Sequence, residues 1–327
     1  MRFGLFCSFD NPHRDFSRAY AEQTALVELA ERIGFDEAWV VEHHFNADSP
    51  APSIHALLAF LAARTTRLAI GSAATLLPFH NPLRVAEDVA TLDVLSGGRL
   101  LFGVAKGGPF PLQRRLFGLE ADDTRAHMLE SLDLVERLLY EENVSFSGAR
   151  YRIEGATIAP RPLQKPVPVY LATSTPEVVR FAGARGYGFM CGPPFPLNVV
   201  ARNAAVWREA AGQSAPKLAL MRFFHPGATE AGARAEAAEL LGPVMAKMKA
   251  GTAALQPEWS EWFDVERVLD DSLIGPPGLL REKLAAIEAG IAPQSVVLKP
   301  VTPSFERRRA GLELFASACA DVALPAG

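Results

Sequence analysis

Glu42, His43 and His44 stand side by side in WVVEHHFNADSP (residues 39–50), and two of the chain's seven histidines fall there. A carboxylate beside imidazoles can move protons near neutral pH or ligate a metal. The metal reading is geometrically poor. Neighbouring residues on a strand point to opposite faces, so at most two of the three could converge on one ion. A third ligand would have to come from Asp10, His13 or Asp48, and no His-x-His or H-E-x-x-H spacing supports it. No metal is expected. His44 is expected to be structural and His43 functional.

Two further groups could do chemistry. VYLATSTPEVV (169–179) places hydroxyls at the start of a helix, with Thr175 as N-cap, Pro176 at the first helical position and Ser174 with Glu177 as a capping box. Free N–H groups and the helix dipole there favour an anion such as phosphate, although capping alone also explains the residues. Lys106 in FGVAKGG is the expected counter-charge, and Gly107 and Gly108 allow close backbone approach. In GSAATLL, Ala73 and Ala74 offer no side chains; a flat ring could lie on them, but close packing of strand on helix explains them as well.

The elements that must position these groups alternate. Strand-like runs at 2–7, 36–41, 67–73, 99–105, 167–172, 187–191, 217–224 and 295–300 are each followed by a helical pattern. Continuous apolar strands between helices imply a parallel sheet covered on both faces. Eight such units imply a single (β/α)8 TIM barrel, with a hairpin inserted near 144–153 and an irregular loop near 250–274. A doubly wound sheet is the runner-up, but CSFDNPHRD follows the first strand where a G-x-G-x-x-G would stand. No composition break divides residues 1–327, so one domain is expected. In such barrels chemistry sits at the carboxyl ends of the strands, where Glu42, His43, Ala73, Ala74, Lys106, Ser174 and Thr175 all fall.

The bulk numbers agree. The chain has 327 residues, 49% hydrophobic and 21% charged, with a net charge of −4. No basic face for nucleic acid is implied. Cys7, Cys191 and Cys319 are odd in number and widely spaced, which points to a reducing, cytoplasmic setting. MRFGLFCSFD reads as a first strand and not a signal peptide, and no apolar run is long enough to span a membrane.

MRFGLF, GFDEAWVVEHHF, LPFHNPLRVAEDVATLDVLSGGRLLFGVAKG, VYLATSTPE and IGPPGLLREKLAAIEAGI together resemble the bacterial luciferase-like flavin-dependent monooxygenases, over nearly the whole chain. The resemblance implies a homodimeric barrel that receives reduced FMN (FMNH2) from a separate flavin reductase, forms a C4a-peroxyflavin with O2, and oxygenates a small-molecule substrate. Some relatives use the deazaflavin F420 instead. It maps the catalytic histidine onto His43, with Glu42 orienting it or a neighbour. The phosphate grip falls on Lys106, where luciferase has arginine, and on Ser174 and Thr175. A non-proline cis peptide under the flavin ring falls on Ala73–Ala74. Ala105 replaces luciferase's reactive cysteine, so light emission is not the expected outcome. Phe6, Phe45, Phe102 and Phe110 are expected to exclude water from the pocket. Trp259, Trp262 and Phe263 would either cover the substrate from a lid at 250–274 or belong to an ordinary packed surface loop. The competing functions are an F420-dependent oxidoreductase of the same fold, a non-catalytic flavin-binding subunit, and, last, a metal-dependent barrel hydrolase.

Overall fold

A computed structural model describes residues 1–108, 110–119, 124–252 and 257–319. Eight parallel strands form the barrel: β1 (Arg2–Cys7), β2 (Glu37–Val40), β3 (Ala69–Ser72), β5 (Leu100–Ala105), β8 (Val169–Ala172), β9 (Gly188–Cys191), β10 (Leu218–Pro226) and β12 (Ser295–Pro300). They pair in that order, and β12 returns to β1 to close the ring. All eight expected strands are present. β4 (Thr75–Leu76), on the edge of β5, and β11 (Leu273–Gly275), on the end of β10, are additions too short to show a period.

Helices α1 (Phe16–Arg32), α2 (Ile54–Arg64), α3 (Pro82–Ser96), α5 (Thr124–Tyr140), α6 (Pro176–Ala184), α7 (Leu197–Ala210) and α10 (Pro277–Gly290) lie between successive barrel strands, and α11 (Phe305–Cys319) follows the last one. Local chemistry sets their ends. Asp15 accepts the Arg18 amide at 3.0 Å to start α1, Asn81 accepts the Leu83 amide at 2.9 Å to start α3, and Gly97 ends α3 at φ 68°. The expected hairpin is β6 (Val144–Ser147) against β7 (Arg152–Ala156). The long connection after β5 holds a short helix, α4 (Pro111–Leu116).

The stretch around 250–274, which shows no clean sequence period, is built of short pieces. The end of α8 (Glu230–Thr252), a 3-10 turn (Pro257–Phe263), α9 (Val265–Asp270) and β11 follow one another. Phe263, Val268 and Leu269 are buried against Ala237, Leu241 and Met245 of α8, so this segment has a small core of its own.

Two apolar layers hold the barrel. Outward-facing strand residues such as Leu5, Val40, Ile70 and Leu298 pack under the helices. Trp39, Leu101, Tyr170, Met190, Ala219, Met221 and Val297 fill the interior, with Trp39 and Tyr170 edge to face at 5.1 Å. Close packing here depends on glycine. A Cβ at Gly71 would lie 2.4 Å from the Trp39 ring, and one at Gly103 would lie 1.8 Å from the Ser72 carbonyl oxygen. Ser72 Oγ donates to the Gly103 carbonyl at 2.7 Å and accepts its amide at 2.8 Å, clasping the end of β3 to β5 just before Ala73.

Candidate active site

The residues singled out in the sequence lie at the carboxyl ends of β1, β2, β3, β5 and β8. Glu42, just past β2, is sealed from solvent. Its Oε1 accepts from His44 Nε2 and from His80 Nε2, both at 2.7 Å, and its Oε2 accepts the Leu76 amide at 2.9 Å. Burial by itself pushes such a carboxyl up, but the two imidazole hydrogen bonds, the charge of His80 and the Leu76 amide hold it at about 2. An ionised carboxylate only accepts, so both histidines present Nε2–H to it. Glu42 therefore orients its neighbour His44 and the distant His80; it does not touch His43. Its oxygens are committed to N–H donors, and no group of three His, Cys, Asp or Glu side chains among the described residues is arranged to hold a metal.

His44 is held as a structural residue would be. Its ring packs 4.8 Å from Phe117 and 5.9 Å from Phe79, and its carbonyl accepts from Gln113 at 3.1 Å. His80 lies 5.6 Å from the ring of His55, which bonds Asp88 at 3.0 Å. Nothing in the sequence pairs His80 with Glu42 across 38 positions, although His80 stands in the FHNP motif.

His43 has a different partner. Its Nδ1 lies 2.7 Å from Ser49 Oγ, and Ser49 Oγ also bonds the Ser8 carbonyl. A carbonyl can only accept, so the single Ser49 proton goes to Ser8 and Ser49 accepts from His43. That fixes the His43 tautomer with hydrogen on Nδ1. Among the described residues its Nε2 has no hydrogen-bond partner and is not a sealed polar atom, which leaves it able to take a proton at the barrel mouth. Burial first, then the charge of Lys299, lowers the His43 pKa to about 4, which keeps the ring neutral at physiological pH.

Lys106 follows β5 and has lost basicity through burial and through the charges of Arg125 and Arg114. Three cations thus converge there, and none of them has a carboxylate within ion-pair distance among the described residues. Thr175 is the N-cap of α6 with Pro176 behind it, but its hydroxyl makes no cap bond; it accepts from Arg125 Nη2 at 3.2 Å. The Thr175 amide goes to Thr173 Oγ1 at 3.1 Å. The expected Ser174–Glu177 capping box does not form, because Thr173 and Arg125 take up the local donors and acceptors instead. The Ser174 carbonyl is anchored by Asn203 at 3.0 Å. Gly107 sits at φ 87°, beside the Phe79 ring. Helix N-terminus, hydroxyls and clustered cations together suit a phosphate. Arg125, which the sequence reading omitted, is central to this cradle.

The Ala73–Ala74 peptide bond is cis, as the resemblance implies. The Ala73 amide bonds the Val40 carbonyl at 2.6 Å, and Ala74 is buried in the interior layer with Trp39 and Tyr170. Phe6 is partly buried against both apolar layers, and Phe102 is buried in the outer one. Phe45 is 61% exposed at φ 54°, and Phe110 is 51% exposed at the start of α4. Trp259 and Trp262 stack at 5.3 Å and lean on Phe195, which follows β9. No ring contact joins this pair to Phe6, Phe45 or Phe110 among the described residues; its ring partner Phe195 lies just past the carboxyl end of β9.

Eight strand–helix units that carry these groups at the carboxyl ends of their strands make this chain a (β/α)8 barrel. More narrowly, it belongs to the luciferase-like monooxygenase family, whose profile matches residues 1–293. It is 33% identical over 223 residues to 4-hydroxyprotoasukamycin monooxygenase of Streptomyces nodosus subsp. asukaensis, covering 65% of this chain and 59% of that one. It is 35% identical over 188 residues to the F420-dependent glucose-6-phosphate dehydrogenase of Kineococcus radiotolerans, covering 53% and 55% respectively. The matched region spans only about half to six tenths of these curated relatives. Among solved structures, monooxygenase RslO1 from Streptomyces bottropensis superimposes with a TM-score of 0.86 at 26% identity, over 99% of this chain and 100% of that one. No helix among the described residues is long and apolar enough to cross a membrane.

Proposed function

We propose that the chain is the oxygenating component of a two-component monooxygenase, which takes reduced FMN from a separate reductase and uses O2 to oxygenate a small organic substrate. The observation that carries the reading is the cradle of Lys106, Arg125 and Arg114 around the Thr175 hydroxyl, which accepts from Arg125, at the same end of the barrel as the small-residue Ala73–Ala74 surface. Lys106, Arg125 and Thr175 would hold the FMN phosphate, and Ala73–Ala74 would support the ring. Reduced FMN, when bound, supplies the electrons that activate O2. His43 Nε2 is the proton acceptor and later donor, and Phe6, Phe45 and Phe110 keep water from the pocket. Glu42 keeps His44 and His80 in place at one wall.

The same cradle would serve F420, which the 35% identity to an F420-dependent dehydrogenase supports as the second reading. A non-catalytic flavin-binding subunit would need the cradle but not a positioned His43. We further infer a cytoplasmic homodimer. Phe60 of α2 is 53% exposed and Leu95 of α3 is 63% exposed, large apolar side chains that a second copy would cover. The test of function is anaerobic mixing with reduced FMN followed by rapid exposure to O2. A transient absorbance distinct from that of oxidised FMN supports the oxygenase. Oxidation at the rate of free flavin, with reduction of F420 by a substrate in its place, moves the assignment to the second reading.

A further inference from the structure

Lys299, near the end of β12, is 291 residues from Ser8, yet its Nζ bonds Ser8 Oγ and reaches Asp10 Oδ2 at 2.5 Å. Ser8 Oγ in turn donates to Asp10 Oδ1 at 2.7 Å, and Arg308 of α11 pairs with Asp10 Oδ2 at 3.1 Å. Every donor in this cluster has one direction. Ammonium and guanidinium only donate, Asp10 only accepts, and the Ser8 hydroxyl gives its proton to Asp10 and accepts from Lys299. The cluster pins Ser8 from its side chain while Ser49 takes hold of the Ser8 carbonyl. The β1 and β2 loops are also latched by the Asn11 amide on the Asp48 carbonyl at 2.9 Å and by Asn11 Nδ2 on the Ala47 carbonyl at 3.0 Å. Ser49 is therefore held as a hydroxyl whose only remaining role toward His43 is to accept.

We propose that Lys299, through Asp10, Ser8 and Ser49, is the positioning residue that presents His43 to the barrel mouth as a neutral imidazole with its proton on Nδ1 and a free lone pair on Nε2. Lys299 does not meet the substrate; it acts through the two serines. It also acts through charge. The groups that face His43 are Asp10 after β1, Glu42 and His44 after β2, and Lys299 on β12. Around Asp10, Lys299 and Arg308 bring two cations to one carboxylate, and that surplus opposes a second positive charge on the ring. The resting site is thereby a proton acceptor with one defined accepting atom, in place of a mixture of tautomers and an imidazolium. The proposal deepens the proposed function, since it rests on His43 as the proton acceptor, but its test needs no turnover.

The experiment is 15N nuclear magnetic resonance of the full-length protein labelled at histidine, with His43 assigned from the spectrum of His43→Gln. The expected result for the unaltered protein is a neutral Nδ1–H ring at pH 7. In Ser49→Ala the nitrogen shifts should move toward a mixture of both tautomers. In Lys299→Met the titration midpoint of His43 should rise on the order of one pH unit. An Nε2–H ring in the unaltered protein overturns the proposal regardless of how any variant folds. So does a Ser49→Ala protein that folds and keeps the pure Nδ1–H pattern, or a folded Lys299→Met protein with an unmoved midpoint. If the tautomer and both responses are as expected but reduced FMN is neither bound nor oxidised distinctively, the positioning stands and the flavin reading of the site fails.

Discussion

Glu42 Oε1 lies 2.7 Å from Nε2 of His80, a residue 38 positions away, and equally close to Nε2 of His44. One carboxylate thus ties the β2 end to the turn before α3, and its pKa of about 2 against an ordinary 4.5 makes the tie sensitive to acid. A depressed folded pKa gives stability that is complete above the ordinary value. It is withdrawn as the pH falls from 4.5 through about 2. Acid unfolding of the native protein should therefore steepen in that window. Glu42→Gln should remove the dependence and cost about 3–5 kcal/mol at neutral pH, because an amide N–H2 would face N–H donors. Urea titrations of both proteins at several pH values check this; parallel curves would defeat it.

Lys106→Ala and Arg125→Ala should each weaken FMN by about 10- to 100-fold, the loss of a charge-assisted hydrogen bond of ~1.5–3 kcal/mol. Riboflavin, which lacks the phosphate, should lose little. Fluorescence titration with both flavins separates the cases, and equal losses would move the phosphate elsewhere.

His43→Ala should leave FMN affinity near that of the native protein and lower turnover by about 10²–10⁴-fold, the usual worth of a positioned proton-transfer group. A loss of binding with turnover per bound flavin intact would assign His43 to the cofactor's grip.

Gly71→Ala should destabilise the barrel by about 1–3 kcal/mol through overpacking, since the added Cβ would lie 2.4 Å from the Trp39 ring. Thermal melts give the loss, and the emission of Trp39 should shift as its packing on Tyr170 opens. An unchanged melt would show that the interior layer yields more easily than its packing implies.

Leu95→Glu should disfavour the inferred dimer, because it places a charge where the second copy would cover an exposed leucine. Sedimentation velocity at two concentrations reads the outcome. A native protein that is monomeric throughout would remove the dimer from the proposal.

Much of this was legible in the order of residues. The eight strands were visible because buried parallel strands are continuous apolar runs, and their ends marked Glu42, Ala73, Ala74, Lys106 and Thr175 because a barrel puts every carboxyl end at one mouth. The hairpin expected near 144–153 was visible too, as two short alternating runs about a glycine, and its second strand runs on to Ala156. β11 and α9 were not, since three and six residues carry no readable period.

What the sequence by itself determined is the barrel, the family and the set of groups at the mouth. Which of those groups act on each other was decided only by the tertiary structure. Neighbours in sequence, Glu42 and His43, turn to different partners, while His80, Ser49, Arg125 and Lys299 arrive from elsewhere. The physical reason is that strand periodicity depends on the backbone and can be read locally. A hydrogen bond between side chains depends on distance, and closing the barrel is what brings β1 and β12 side by side.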